Sequence, residues 1–207
     1  MADALRAPRQ DRSRDKLERI YQAAVALLVE GGWDAVTVGD VERRSGVSRG
    51  TFYLRFPHRE ALLDYVAQRL IDTVNQAHDE AFSEARAVGA TTLDAAVRAA
   101  VRATAGLFRR HGPVLLRLNR GERGGAGAEA MNRLSRDFRS VLAPVTGADP
   151  ARRAPLEFAM QLVLSMVNSE IHPRVTFTEH VARDWDAFVD ELGDAVTCYL
   201  RSRIPGA

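Results

Sequence analysis

Between positions 43 and 59 the chain carries Arg43, Arg44, Arg49, Arg55 and Arg59 and no Asp or Glu, while Thr37, Ser48, Thr51 and Tyr53 add hydroxyls to the same region. Guanidinium and hydroxyl groups are side chains that hold phosphate oxygens, and a guanidinium fork can also pair with O6 and N7 of guanine in a major groove. Gly50, set among them, lets a backbone approach a duplex closely. The formal net charge of the whole chain is only +2, from 29 basic and 27 acidic residues. Affinity for nucleic acid therefore has to be local, and this stretch is where the sequence concentrates it. A solvated arginine face on a small helical bundle is the plainer alternative.

Short helices are what would position these groups. Leu17, Ile20, Ala24, Leu27 and Leu28 fall on one helical face, and Gly31-Gly32 then supplies a stop. Thr37 stands where an N-cap belongs, ahead of a helix over about 38–44, with Asp40 favouring the helix N-terminus. Ser45-Gly46-Val47-Ser48 reads as a compact turn in which Gly46 takes a positive φ and Ser48 caps a third helix, through Phe52 to about Arg55. Val38, Val41, Val47, Phe52 and Phe56 form the hidden side. Pro57 interrupts the pattern, and a helix from about His58 carries Leu62, Leu63, Val66, Leu70 and Val74 onward. Two short helices joined by a glycine-containing turn have the form of a helix-turn-helix.

The run T-V-x-D-V-x-x-x-S-G-V-S-R-G-T-F-Y-x-R-F-P-H-R-E-A-L-L at 37–63 resembles the DNA-binding signature of the TetR family of repressors, and the agreement extends over roughly 14–70. The resemblance implies that Thr37, Tyr53 and the basic residue Arg59, where the family usually has Lys, hold phosphates. Ser48 and Arg55 are further phosphate-binding candidates, and Arg49, Gly50 and Thr51 at the groove-facing start of the third helix are the base readers. Two departures stand out: Glu42 and Ser45 replace the alanines usual on either side of the second helix's end. Glu42 is read as a surface substitution.

Hydrophobic residues make up 46% of the 207 and aromatics 7%, with little strand-like alternation, which points to an all-α fold. With the resemblance, the expected organisation is a disordered arm over 1–13, a three-helix DNA-binding domain over 14–60, and a helical effector-binding and dimerisation domain over 61–207. Helices are expected at about 92–110, 113–120, 127–145, 152–171 and 179–202, separated by Gly112-Pro113, the glycine-rich 121–127, Pro144 to Pro150 and Pro173. The 152–171 helix is apolar nearly all round, through Phe158, Leu162, Leu164 and Met166, so something must cover a second face.

With Leu162 and Met166, the stripe Trp185, Phe188, Leu192, Val196 and Tyr199 on the last helix is the candidate dimer interface. Phe82, Phe108, Leu116, Met131, Phe138 and Met160 are candidates for an effector cavity, joined by the polar line Gln161, Ser165 and Asn168, which continues to His172. Each also reads as plain core or solvated face. The resemblance implies a homodimer on a double-stranded DNA operator, a repressor released by a small molecule. A ligand-independent or architectural DNA-binding protein is the alternative.

No glycine-rich phosphate loop, HExxH pair or nucleophile elbow occurs, and His58, His78, His111, His172 and His180 lack metal-ligand spacing, so neither an enzyme nor a metal or other cofactor is expected. Cys198 is the single cysteine, which precludes a disulfide within one chain. With no signal-like apolar run and no stretch of 18 uninterrupted apolar residues, a soluble cytoplasmic protein is expected.

Overall fold

The computed structural model describes residues 9–119, 125–147, 149–171 and 183–206. Among them the regular structure is helical, and no strand occurs. Two compact units divide after Asp72.

In the first unit, α1 (Arg9–Gly31) packs against α2 (Val38–Ser45) and against a single 3-10 turn at Trp33–Ala35, and α2 packs against α3 (Arg49–Tyr53). α1 begins inside the segment expected to be an arm. Ile20, Ala24 and Leu28 on α1 are buried with Val36, Val41, Val47, Phe52 and Phe56, while Val38 is only half-buried. The rings of Phe52 and Phe56 lie 5.5 Å apart, and Phe56 is equally close to Tyr65. Burying side chains of this size stabilises by about 1.5–3 kcal/mol each, which lets a five-residue helix too short to persist alone keep its place.

α4 (Arg59–Ala87) is longer than its expected 58–74. Beyond Val74 its buried positions are His78, Phe82 and Ala85, spaced by three or four residues, so the stripe continues through a histidine and an alanine.

In the second unit α5 (Leu93–Asn119) contacts α6 (Gly125–Thr146), α7 (Arg153–Ile171) and α8 (Trp185–Arg203), and α7 contacts α8. α5 corrects the expectation of a break at Gly112-Pro113: it runs through Pro113 as one helix. Proline removes the bond to the carbonyl four residues back, but Arg109 and Pro113 both lie on the exposed face, where water can serve that carbonyl. α6 likewise continues through Pro144. α8 starts at Trp185 behind an Asp184 cap, whose carboxylate accepts the backbone N–H of Asp186 and Ala187 at 2.9 and 3.1 Å; the expected start at 179 lies outside the described residues.

Polar bridges tie these helices together. Arg102 on α5 donates to Asp190 on α8 at 2.8 Å, and Ser135 on α6 donates to Glu157 on α7 at 2.7 Å. No helix among the described residues is long and apolar enough to cross a membrane.

Candidate nucleic-acid interface

The site is built from local rules. Thr37 adopts extended backbone ahead of α2 and its hydroxyl oxygen accepts the N–H of Asp40 at 3.1 Å, as expected of an N-cap. The same hydroxyl donates to the Asp40 carboxylate at 2.5 Å, and this bond, with Arg43 nearby, holds the Asp40 carboxyl below its ordinary range. Gly46 closes α2 in the left-handed region at φ 64°, its N–H on the Glu42 carbonyl at 3.0 Å.

α3 departs from expectation in its cap. Ser48 occupies the N-cap position but makes no side-chain bond to the helix backbone; its hydroxyl lies 3.1 Å from that of Thr51. The free N–H of Arg49 is taken instead by Oε1 of Glu42 at 2.8 Å, and Oε2 of the same carboxylate lies 3.6 Å from Arg49 Nε. Glu42, expected to be a bystander on the surface, fixes the start of the third helix. The helix ends at Tyr53, with Leu54 as C-cap, earlier than the expected Arg55.

Ser48, Arg49, Gly50, Tyr53 and Arg55 are exposed and Thr51 half-exposed, and the start of α3 is open around Gly50, where an added Cβ would meet nothing within 4 Å. Tyr53, 48% exposed, leans edge-on against Phe52 with ring centroids 5.4 Å apart. Leu54 is also bare.

The arginines are not the uncompensated patch that their acid-free stretch of sequence suggested. Arg44 makes a two-pronged bond to Glu30, 2.7 Å on each side, and Arg43 pairs with Asp40. Arg55 donates to the carbonyl of Ser13 at 3.0 Å. Arg59 is half-buried, with Nε on the carbonyl of Val36 at 2.8 Å and Nη2 on that of Trp33 at 2.6 Å. It therefore locks the turn in front of α2, with Nη1 3.6 Å from Glu60.

In the second unit the named side chains divide clearly. Phe82, Phe108, Phe138 and Met160 are buried in the core, Met131 packs against it half-buried, Asn168 is half-buried, and Gln161 and Ser165 are exposed on α7. The side chain of Leu116, and His172, lie outside the described residues. None of the described ones lines the groove of about 550 Å³ between α4 and α5, whose walls include Ala81, Ala85, Ala99, Ala103, Arg110 and His111. Of the residues named for the dimer interface, Phe188, Leu192 and Val196 are buried in the chain's own core, whereas Leu162, Trp185 and Tyr199 are half-buried. Met166 is 38% exposed and Phe158 52% exposed, with Phe158 5.0 Å from the Tyr199 ring.

A short capped helix, a glycine turn and a second short helix with an exposed, arginine-bearing start define a helix-turn-helix DNA-binding module. Residues 20–66 match the family described as "Bacterial regulatory proteins, tetR family". The HTH-type transcriptional regulator YvdT of Bacillus subtilis, itself uncharacterized, is 38% identical over 56 residues, 27% of this chain and 29% of that one. The HTH-type transcriptional regulator AlkX of Mycobacterium tuberculosis is 34% identical over 84 residues, 38% of this chain and 40% of its own. The chain thus spans well under half the length of these relatives. Two solved structures of TetR-family transcriptional regulators share the fold through most of the chain. That from Syntrophomonas wolfei has a TM-score of 0.51 at 12% identity, covering 91% of this chain and 94% of its own. That from Mesorhizobium loti has 0.50 at 18%, covering 92% and 97%. Residues 20–66 thus carry the DNA-binding segment of the TetR family, and the chain shares the helical fold of solved TetR-family structures.

Proposed function

We propose that the chain is a homodimeric transcriptional regulator of the cytoplasm that occupies a double-stranded operator through α2 and α3, represses there, and lets go when a small molecule binds the second unit. The observation that carries the DNA reading is Arg49, exposed at the first position of a helix whose start is anchored by Glu42. Arg49, Gly50 and Thr51 read bases, and Thr37, Ser48, Tyr53 and Arg55 hold phosphates. Arg59 serves the phosphates indirectly, through the turn that presents Thr37.

A helix this short offers few contacts, and two copies related by a two-fold axis would place recognition helices about one DNA turn apart. The apolar face left on α7 by Phe158 and Met166 is what such a partner would cover. The alanine-lined groove between α4 and α5 is the effector site we favour, because it is open to solvent while the aromatic candidates are packed core. α4 contributes residues to both units, so a ligand that selects one placement of its second half biases the first. A hundredfold loss of operator affinity needs about 2.7 kcal/mol of differential binding.

Capturing sheared genomic fragments on the purified chain tests the reading. A discrete set of fragments, bound by a dimer and released by some small molecules, is the expected result. A monomer indifferent to every duplex at low ionic strength overturns it. Discrete binding that no ligand alters, in either affinity or melting, favours the ligand-independent alternative.

A further inference from the structure

We propose that Glu42 is a positioning residue for base reading: it aims Arg49, and so sets how sharply the protein distinguishes its preferred sequence from other duplexes. This rests on the DNA-binding reading above and goes beyond it, because it assigns selectivity to an acidic side chain on a surface meant for a polyanion.

The geometry is two-handed. Oε1 of Glu42 takes the backbone N–H of Arg49 at 2.8 Å, which fixes where the side chain of Arg49 begins. Oε2 lies 3.6 Å from Nε, on the inner edge of the guanidinium. Among the described residues Nη1 and Nη2 donate no hydrogen bond, and those two terminal nitrogens are a fork that can meet O6 and N7 of a guanine. An arginine held by its inner edge reaches the base with much of its rotational freedom already removed. Both side chains remain partly exposed, 65% for Arg49 and 34% for Glu42, so the arrangement is accessible to DNA without rebuilding the core.

The carboxylate also acts against the wrong use of Arg49. If the guanidinium swings away to a phosphate, as it would on an unrelated sequence, Glu42 is left unpaired beside the DNA backbone, and like charges repel. If the terminal nitrogens sit on a base, the inner edge stays with Glu42 and no charge is stranded. Glu42 therefore lowers affinity for all DNA, and lowers it least for the sequence on which Arg49 reads a base.

The test uses the full chain and a duplex selected by it from a random-sequence pool, a panel of single base-pair changes in that duplex, and an unrelated duplex of equal length. Glu42→Gln keeps an acceptor for the Arg49 N–H and removes the charge; Glu42→Ala removes both. Both variants should bind the unrelated duplex more tightly than the parent, and both should lose roughly tenfold discrimination at one base pair per half-site. In an Arg49→Ala background, Glu42→Ala should leave discrimination at that position unchanged, because no base-reading guanidinium is left there for it to aim. A merely structural role would weaken binding in both backgrounds and track the melting temperature. Unaltered discrimination in both Glu42 variants overturns the inference while the DNA-binding reading stands. A parent chain that selects no sequence overturns both.

Discussion

His78 on α4 donates its Nε2–H to Oδ2 of Asp137 on α6 across 2.7 Å, from a site where the histidine is only 4% exposed. Its ring stacks on Phe82 with centroids 4.7 Å apart, and the Asp137 carboxylate also lies 3.4 Å from Arg86 and 3.9 Å from Arg133. The second half of α4 is therefore fastened to α6 by a specific bond rather than by apolar contact alone. His78→Ala deletes the bond and opens space beside Phe82, so it should destabilise the fold by about 1–3 kcal/mol. Urea unfolding measures this, and an unmoved midpoint would show that the bond contributes nothing.

Arg59 spans two carbonyls, and a lysine has no planar fork with which to do so. Arg59→Lys should lower stability by about 1–2 kcal/mol and weaken binding to specific and random duplexes alike, since the turn it locks presents Thr37. Melting and DNA titration on one preparation check the link. Uniform loss of DNA affinity with an unchanged melting temperature would mean that Arg59 touches phosphate directly.

Arg49→Ala should behave differently. It should relax preference at one operator position at a cost of about 1–3 kcal/mol, with a smaller loss on random DNA. Equal losses on both kinds of duplex would remove Arg49 from base reading.

At Gly46 two constraints coincide: φ is +64°, and an added Cβ would lie 2.7 Å from Nη2 of Arg19, which itself donates to the Ser45 carbonyl. Gly46→Ala should cost about 1 kcal/mol or more, and loosen the turn between α2 and α3. Thermal melting of the variant decides it, and a gain in stability would contradict the turn geometry.

Burial, and then the charge of Arg110, hold the His111 imidazole below its ordinary 6.5, and Nε2 has no hydrogen-bond partner. The unfolded chain therefore takes up a proton as pH falls through about 6.5 while the folded one resists, so this group's share of stability is present above that pH and lost below it. Melting the parent and His111→Gln between about pH 8 and pH 5.5 should show a steeper acid decline in the parent. Parallel curves would refute the assignment.

The elements legible in the sequence are those governed by neighbours along the chain. The Thr37 cap, the Gly46 turn and the buried row of Val41, Val47, Phe52 and Phe56 all follow from rules reaching four residues or so, and all are present. What escaped depends on distance in space. Glu30 lies 14 residues before Arg44 and Ser13 lies 42 before Arg55, so no window of sequence reveals that these arginines are partnered. The Glu42 carboxylate is seven residues from the Arg49 N–H that it accepts, beyond a capping box, and is invisible for the same reason. Periodicity on α8 correctly marked a covered face, but it cannot say whether the cover comes from the same chain; for Phe188, Leu192 and Val196 it does. Pro113 misled because a local rule about proline met a helix packed on three others.

The pairing of the interface arginines has a thermodynamic consequence. An arginine that reaches DNA bare displaces condensed cations from the duplex, and each such neutralised phosphate adds close to one unit to the slope of log affinity against log salt. Here Arg43, Arg44 and Arg55 already hold Asp40, Glu30 and Ser13. Docking exchanges one anionic or polar partner for another, and the ionic atmosphere rewards it less than a tally of arginines implies.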